Sequence, residues 1–316
     1  MQMMGLSGLS DITGFLSDAN RRLLVLVGPT ASGKTGLSLR IAQEFRAQGR
    51  GVEIINADSR QLYRFLDIGT AKIRKAEMRS VPHHLIDVLD PKQEVTAAWY
   101  KREAERVIAE IHARGNIPFL VGGSMLYASA IIDNLAFVAT TDQSLRARLR
   151  QRLDDEGPEA LYGQLQELDP EGALAIDSRN EVYLLRALEV CLTTGRTLDA
   201  AKKKHASPYD LCIIGMDLPR AELHQRIKQR VHAMFADGWL EEVSNLLQRG
   251  YSPHDPGLTS VGYRDIVAFL QKGNSSLYAL KESIKAQTRQ YAKRQMTWWK
   301  RDGRIRWVTP QATKRS

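Results

Sequence analysis

The sequence of 316 residues predicts an α/β fold: a parallel sheet core with an inserted helical domain and a helical C-terminal part. Short β-branched runs alternate with helical periods up to about residue 121, and a further run follows near residue 211. Between them lie helical segments with short breaks, and the rest of the chain is helical. We therefore expect a flexible leader over residues 1–22, a core from 23–139 and 207–316, and a helical insertion over 140–206.

Composition limits the classes of partner and cofactor. Lys and Arg number 45 against 36 acids, a net charge of +9, which favours a polyanion larger than one nucleotide. The two cysteines, Cys191 and Cys212, form no CxxC or Cys/His cluster, so neither a disulfide framework nor zinc is indicated. The first twenty residues hold no apolar run long enough to span a bilayer. We expect a cytoplasmic protein without a membrane partner.

The first strand runs into a phosphate-binding motif. Residues 23–35 read LLVLVGPTASGKT, which fits GxxxxGK[ST] between a strand and an amphipathic helix. Glycines turn backbone N–H groups toward a polyphosphate, Lys34 adds a point charge, and the Thr35 hydroxyl can hold a magnesium ion. The core is therefore P-loop NTPase-like, although the motif does not specify the ligand. The predicted loop residues are Gly28, Pro29, Thr30, Ala31, Ser32, Gly33, Lys34 and Thr35.

Polar residues follow the second predicted strand, residues 52–57. Asp58 ends it, and strand ends line the ligand crevice of an open parallel sheet. Asp58 thus either faces the P-loop or serves as a helix cap or surface acid, and the sequence leaves both open. The DIGTAK segment that follows, residues 67–72, either reaches phosphate or is a solvated loop.

Two more strands are expected before the insertion. His83 and His84 precede the first, at residues 85–88, and neighbouring strand side chains point to opposite faces, so this pair is structural and not a metal site. The second, residues 117–121, runs into Gly122, Gly123 and Ser124 without an acid. The lack of a Walker-B acid there weakens an NTPase interpretation.

The insertion and the C-terminal part carry much of the positive charge. Asp142 is the expected N-cap of an Arg-rich amphipathic helix that breaks at Gly157 and Pro158. Another helix covers residues 181–193, and a strand at 211–218 returns to the sheet. After it, helices are expected at 222–235, 240–247, 262–270 and 281–301. From Lys281 to Arg306, nine cations oppose two acids, beside Tyr291, Trp298, Trp299 and Trp307. This segment predicts either nucleic-acid contact or a solvated face.

Taken together, these motifs resemble the tRNA dimethylallyltransferase (tRNA isopentenyltransferase) family from Leu23 to Trp307. The resemblance implies transfer of a dimethylallyl group from its diphosphate to the N6 amine of the adenosine on the 3′ side of the anticodon. It implies magnesium as cofactor, tRNA and dimethylallyl diphosphate as partners, and we expect a monomer. The matching blocks are GPTASGKT, INADSRQLYRFLDIGTAK, PHHLIDV, LVGGSMLY, LLRALEV, LHQRIKQRVHAMFADGWLEEV, SVGYR and QTRQYAKRQMTWWKRD.

The resemblance also implies roles for single residues. Asp58 matches the acid that receives the amine's hydrogen bond or proton, Arg230 matches a diphosphate-binding arginine, and Ser124 stands where threonine is usual. These three are the expected catalytic residues, with Thr35 as the metal ligand. Val182 and Tyr183 replace the common Gln-Arg pair, which puts one RNA contact of the insertion in doubt. The expected tRNA contacts are Asp58, Ser59, Arg60, Gln61, Ser124, Arg146, Tyr183, Thr259, Ser260, Val261, Gly262, Tyr263 and Arg264.

Two rival hypotheses remain at this point. A P-loop kinase or NTPase acting on a small molecule accounts for the P-loop and Asp58 but leaves the basic C-terminal segment unexplained. A non-catalytic RNA-binding module accounts for the charge but neglects the P-loop.

Overall fold

The computed structural model describes residues 21–137, 143–197, 205–272 and 276–309. Nearly all of the predicted leader and Asp142, the predicted N-cap, lie outside the described residues. Contacts between Cα atoms divide the chain into two compact units, Met1–Ile132 with Ser207–Ser316, and Asp133–Ala206. The second unit thus begins before the predicted boundary at residue 140, and Asn134 Nδ2 donates a hydrogen bond to the Ala206 carbonyl at 3.2 Å where the unit closes.

The first unit is built on a six-stranded, fully parallel sheet with the order β3-β2-β4-β1-β5-β6. Strand β1 is central, because it pairs with β4 on one side and β5 on the other. In such a sheet all the strands' carboxyl ends lie at one edge, which is where ligands bind. The strands are β1 (Arg22–Val27), β2 (Val52–Asn56), β3 (His83–His84), β4 (Ile117–Val121), β5 (Asp210–Met216) and β6 (Arg306–Val308).

Alternate residues of β1 enter two hydrophobic cores, one on each face of the sheet, as the two-residue repeat of a strand requires. Leu23, Val25 and Val27 belong to the larger core, whereas Leu24 and Leu26 belong to the smaller. Because both faces are covered, the strand reads as a continuous apolar run. The helices of this unit are α1 (Lys34–Ala47), α2 (Ala97–Ala113), α3 (Met125–Ile132), α7 (Arg220–Ala236), α8 (Trp239–Gln248), α9 (Tyr263–Lys272) and α10 (Leu277–Trp299).

The edge strand β3 differs from the prediction, which placed a strand at residues 85–88. The histidines themselves pair with Ile54 and Ile55. Leu85 and Asp87 have φ of 58° and 57°, so the chain leaves the extended conformation there. His84 Nε2 lies 2.6 Å from Glu53 Oε2, in keeping with the predicted structural role of this pair. The short β6 was not predicted at all.

The second unit is a small helical bundle. Its helices are α4 (Gln143–Leu168), α5 (Pro170–Leu174) and α6 (Glu181–Thr194). The predicted break at Gly157 and Pro158 is confirmed, because Gly157 has φ 81° and interrupts α4. Leu161, Leu165, Leu184 and Leu188 pack in its core. Nowhere in the described residues is a helix both long and apolar enough to cross a bilayer.

Candidate functional site

A cleft of about 1230 Å³ opens in the first unit beside the P-loop. The carboxyl ends of β1, β2 and β4 bring the P-loop, Asp58 and the Gly122-Gly123 pair to one edge of the sheet, and α7 and α10 contribute further side chains. Its lining includes Thr30, Ala31, Ser32, Gly33, Lys34, Thr35, Asp58, Gln61, Gly122, Gly123, Arg226, Arg230, Tyr291 and Gln295.

The P-loop takes a conformation that glycine makes possible. Gly28 has φ 148° and Gly33 has φ 93°. A Cβ atom on Gly28 would lie 2.8 Å from the Cβ of Met216, so a larger residue would displace the neighbouring strand. Lys34 Nζ donates hydrogen bonds to the carbonyls of Gly28 (3.0 Å) and Pro29 (2.8 Å). The ammonium is thereby held within the loop at the wall of the cleft.

The pKa of Lys34 is lowered to about 8. Burial is the main cause and the positive charge of Arg230 adds to it, while the negative charge of Asp58 opposes the shift. A bound anion would favour the charged form of the ammonium. Ser32 Oγ is buried and has no hydrogen-bond partner among the described residues. Together, a partly desolvated cation and an unsatisfied hydroxyl form a site that suits a phosphate group.

Asp58 is oriented by its neighbours at the end of β2. Its N–H donates to Asn56 Oδ1, and Asn56 Nδ2 donates back to its carbonyl, both at 3.0 Å. Asp58 Oδ1 accepts the N–H of Arg60 at 2.9 Å. Of the two alternatives left open by the sequence, the structure shows Asp58 lining the cleft with the P-loop. Asn56, which the sequence analysis did not single out, sets this geometry.

Helix α7 supplies two guanidinium groups to the cleft from positions four residues apart, on one face of the helix. Arg230 Nη2 donates to the Thr70 carbonyl at 3.1 Å, and burial lowers its pKa, with the charge of Asp58 opposing the shift. Arg226 bonds Glu222 at 2.7 Å and reaches the Ser32 carbonyl at 3.4 Å. Arg230 and Lys34 both interact electrostatically with the Asp58 carboxylate, so the cleft combines this acid with several cationic groups.

Gln295 of α10 joins two loops of the cleft, and the sequence analysis missed it. Its Oε1 accepts the N–H of Thr30 at 2.8 Å, and its Nε2 donates to the Gly123 carbonyl at 2.7 Å. The side chain is 1% exposed. A Cβ atom on Gly123 would lie 2.4 Å from Gln295 Nε2, so this glycine admits the amide. One glutamine among three in a basic helix, beside Gln287 and Gln290, gives no sequence signal of such a role.

The DIGTAK segment is not simply a solvated loop, since Asp67, Ile68, Ala71 and Lys72 line the cleft. Lys72 is buried, and its Nζ donates to the Tyr63 carbonyl and to Asp67 Oδ1, both at 2.7 Å, and to Asp87 Oδ1. The carboxylate of Glu242 accepts the N–H groups of residues 67, 68 and 69. These bonds shape the loop, which in turn presents the Thr70 carbonyl to Arg230.

Several predicted site residues lie beside the cleft and not in its lining. Ser59 is half-buried. Ser124 is half-buried too, donates its N–H to the Ala57 carbonyl at 3.0 Å and precedes α3. Arg60 Nη1 donates to the Pro256 carbonyl at 2.9 Å, which links the Asp58 loop to the segment before residue 259.

The segment from Thr259 to Arg264 divides into exposed and buried residues. Thr259 and Arg264 are exposed, and Ser260 and Val261 are half-buried. Gly262 and Tyr263 are buried, and the Tyr263 hydroxyl donates to Glu242 Oε1 at 2.6 Å. The burial of Tyr263 shows its side chain as part of the core, where it supports the DIGTAK loop. The exposed members remain available for the predicted RNA contact.

The basic C-terminal segment, residues 281–306, and the neighbouring Trp307 are only partly exposed to solvent. Trp299 and Trp307 are buried in the larger core, and Trp298 is 43% exposed while donating Nε1–H to Ser129 Oγ at 3.2 Å. Lys285 is buried and bonds Glu282 at 2.7 Å. The sequence allows these aromatics to be either packing or base-stacking groups, and Trp299 and Trp307 are packing groups, because both fill the core.

The second unit contains the remaining predicted RNA contacts. Arg146 Nε bonds Glu189 Oε1 at 2.6 Å, and Arg186 bonds the other oxygen of this buried carboxylate at 3.2 Å. Arg146 thus holds the bundle together through Glu189. Tyr183, near the start of α6, is 64% exposed.

The residues beside the P-loop offer few protein ligands for a magnesium ion. Thr35 is exposed and lines the cleft. No group of three His, Cys, Asp or Glu side chains within the described ranges could hold a metal ion by itself. Magnesium commonly retains waters and binds through substrate phosphates with few protein ligands. The residues therefore fit a magnesium ion held by Thr35 together with a diphosphate, and do not fit an all-protein metal cage.

Comparison with known proteins gives consistent matches along the chain. The family model for IPP transferase matches residues 61–302. A tRNA dimethylallyltransferase of Geobacter sulfurreducens is 43% identical over 298 residues, which cover 93% of this chain and 94% of the relative. Its counterpart in Thermomicrobium roseum is 43% identical over 286 residues, covering 90% and 85%.

Solved structures agree. The full-length tRNA isopentenylpyrophosphate transferase of Bacillus halodurans is 37% identical, with a TM-score of 0.67, and the match covers 92% of this chain and 90% of that one. A eukaryotic dimethylallyltransferase acting on tRNA gives a TM-score of 0.76 at 27% identity, covering 92% and 74%. With a family model matching most of the chain and relatives this similar over nearly their whole length, the chain belongs to the IPP transferase family.

Proposed function

We propose that this protein is a tRNA dimethylallyltransferase that prenylates the N6 amine of the adenosine on the 3′ side of the anticodon. The observation that carries the proposal is that one cleft is lined by a P-loop, the Asp58 carboxylate and Arg230. A P-loop and an arginine suit a diphosphate, and a carboxylate in the same cleft suits an amine that must lose a proton. The activity for which the relatives are named supports the same substrates.

The proposed reaction forms a bond between N6 of adenosine and C1 of the dimethylallyl group, while the bond from C1 to the diphosphate oxygen breaks. The amine proton passes to Asp58, and the electron pair of the broken bond leaves with the diphosphate. Lys34, Arg230 and the P-loop N–H groups stabilise the negative charge that develops on this leaving group. Asp58 is the proposed general base: Asn56 fixes its backbone at the end of β2, and the Arg60 N–H orients its carboxylate in the cleft.

Magnesium would be held by the Thr35 hydroxyl and the diphosphate oxygens, and it would neutralise part of the diphosphate charge. Lys34 and Arg230 bind the same group from the protein side. Ser124 lies one residue beyond the lining Gly123, so its hydroxyl is proposed to act next to the cleft, at the bound adenosine.

For the RNA, the target base leaves its loop stack to enter the cleft, as enzymes that act on a base require. The proposed contacts in the first unit are the loop from Asp58 to Gln61 and the exposed residues Thr259 and Arg264. In the second unit they are Arg146 and Tyr183. Since its proposed substrate is tRNA, we expect the protein to act in the cytoplasm, as a monomer.

The rival kinase function lacks support at the end of β4. That strand is followed by Gly122 and Gly123, and Gly122 has no room for a side chain, since a Cβ atom would lie 2.1 Å from the Ala57 carbonyl oxygen. A Walker-B aspartate cannot occupy that position.

The nucleoside content of tRNA tests the proposal: cells lacking this protein should lose N6-isopentenyladenosine and its derivatives, and restoring the wild-type chain should return them. Unchanged prenylated adenosine in the deleted strain would refute it.

A further inference from the structure

A row of basic side chains runs along the face of α7 that points away from the cleft. Arg220, His224, Lys228 and His232 follow one another at intervals of four residues, about 6 Å along a helix. Each of the middle two lies two positions before a cleft residue, His224 before Arg226 and Lys228 before Arg230. Two positions turn the helix by about 200°, so the row and the cleft residues occupy opposite sides of α7.

Helix α10 packs along α7 and adds a second row. Leu223, Ile227 and Ala292 form the apolar contact between the two helices. Lys281, Lys285 and Arg289 repeat at the same interval, and the Lys281 ammonium lies 4.9 Å from the centre of the Phe235 ring of α7. We call the exposed and half-buried members of these two rows the cationic seam: Arg220, His224, Lys228, His232, Lys281 and Arg289. Lys285, in the middle of the second row, is buried and paired with Glu282, so it adds charge nearby without being a contact.

The charges of the seam are poorly compensated. The charged groups that act on His232 are Lys285, Lys228 and Lys281 from the two helices, with Glu282 as the opposing acid, and together with burial the three lysines lower its pKa. Burial and the neighbouring Arg220 and Arg289 lower the pKa of His224. Like charges at this spacing destabilise a helix, so the seam costs the fold stability. A bound polyanion would remove that cost.

We propose that the cationic seam binds phosphate groups of the tRNA substrate outside the cleft, an inference that rests on the proposed function. One helix diameter, about 10 Å, separates the seam from the cleft. An RNA stem-loop that places one base in the cleft extends far beyond that distance. Its backbone can therefore reach the outer face of α7. Sequence-independent phosphate contacts of this kind position an RNA and do not read its bases.

The contact is linked to pH. When phosphates bind near His224 and His232, they favour the charged imidazolium and raise the pKa of both histidines above the values in the free protein. Protons are then taken up on binding. The contribution of these two histidines to tRNA affinity should therefore increase as the pH falls through their pKa values in the bound state.

The salt dependence of tRNA binding tests the seam. In full-length protein, the double substitution Lys228→Gln and Lys281→Gln should reduce the slope of log affinity against log salt by about two contacts, using an unmodified tRNA transcript. The matched control is Arg40→Gln with Arg46→Gln, which removes the same charge from exposed positions of α1 and should leave the slope unchanged. Thermal melting of both variants shows that they are folded.

A second measurement needs no substitution. Titration by NMR of the imidazole signals, with and without tRNA, should show the pKa values of His224 and His232 rising by about one unit or more on binding. His112, which bonds the Arg22 carbonyl at the opposite edge of the sheet, is the internal control.

Two results would overturn the seam as a tRNA contact. They are equal slopes in the seam and control variants, or unchanged pKa values of His224 and His232 on tRNA binding. Each leaves the proposed function standing as long as the wild-type chain prenylates tRNA, whereas absence of prenyl transfer would reject the function itself.

Discussion

At the scale of single residues, the cleft depends on polar groups whose directions are set by neighbours. Asp58 receives the Arg60 amide on one oxygen and exchanges two further hydrogen bonds with Asn56. Lys34 is held by two P-loop carbonyls. Such fixed groups need no reorganisation during reaction, which is the main source of electrostatic catalysis.

Substitution of Asp58 tests the general base. Asp58→Ala should lower kcat by about a hundredfold or more, the usual scale for a positioned acid–base group, with a much smaller effect on tRNA affinity. Asp58→Asn is the matched control for structure, because its amide oxygen can still accept the Arg60 N–H. Single-turnover kinetics should show both variants equally slow. Near-normal turnover in either would exclude Asp58 as the base.

Lys34 and Arg230 should act on the prenyl diphosphate and not on the RNA. Lys34→Ala and Arg230→Ala should each reduce kcat/KM for dimethylallyl diphosphate by about a hundredfold, since both stabilise the leaving group. Affinity for tRNA, measured by filter binding, should stay close to that of the wild type. If either variant lost tRNA affinity while its kinetics for dimethylallyl diphosphate stayed normal, that residue would contact the RNA and not the diphosphate.

Gln295 provides a test of how the P-loop is held. Gln295→Glu can still accept the Thr30 N–H but cannot donate to the Gly123 carbonyl, and it leaves a buried acceptor unsatisfied. We expect about a tenfold loss of kcat/KM for dimethylallyl diphosphate. Gln290→Glu, at an exposed position of the same helix, makes the same chemical change and should be neutral. Equal kinetics for the two variants would show that the hydrogen bonds from Gln295 to the two loops do not affect catalysis.

At the scale of elements, one buried carboxylate connects three neighbouring segments at the edge of the sheet. Glu53 of β2 accepts hydrogen bonds from Arg114 Nη2 at 2.9 Å and Asn116 Nδ2 at 2.7 Å, and lies 2.6 Å from His84 of β3. Burial alone would raise the pKa of Glu53, but the bonds from these three side chains outweigh it and lower the pKa to about 2. The group therefore connects the turn before β4 to β2 and β3.

Glu53 should contribute to stability in a pH-dependent way. Because its folded pKa lies below its unfolded value, the contribution is fully present above about pH 4.5 and is lost as the pH falls toward 2. Glu53→Gln should lower the free energy of unfolding by about 3 kcal/mol at pH 7, measured by urea denaturation. As the pH falls from about 4.5 toward 2, the difference from wild type should shrink. A constant difference down to pH 2 would contradict this account.

The elements also show how far local pattern predicts structure. Strands β1, β2, β4 and β5 and most helices follow from apolar runs and helical periods, because their signals are long. The two-residue β3 and three-residue β6 carry no such signal, and they exist because β2 and β5 offer pairing partners. The sequence left open whether Trp299 and Trp307 pack in the core or stack on bases, because charge in the sequence does not reveal which side of an element packs against the core.

At the scale of the whole chain, the P-loop and its ligand class could be predicted from residues 23–35, since every group needed is local in sequence. Local patterns alone do not predict the cleft as a site, although the family resemblance implied that Asp58 and Arg230 act with the P-loop. Asp58, Arg230 and Gln295 come from separate elements, and their meeting depends on the packing of α7 and α10 against the sheet. Asn56 and Gln295 each act through two or more hydrogen bonds to backbone atoms, and such partners are defined only by the folded chain.

The most direct test of the account is transfer of a labelled prenyl group. Purified protein, magnesium and labelled dimethylallyl diphosphate are mixed with unmodified tRNA that has adenosine on the 3′ side of its anticodon, without ATP. We predict incorporation of about one prenyl group per tRNA, recovered as N6-isopentenyladenosine, and none when that adenosine is replaced by guanosine. Robust ATP hydrolysis or phosphoryl transfer, with no prenyl incorporation into any such tRNA, would contradict the assignment and favour a P-loop kinase.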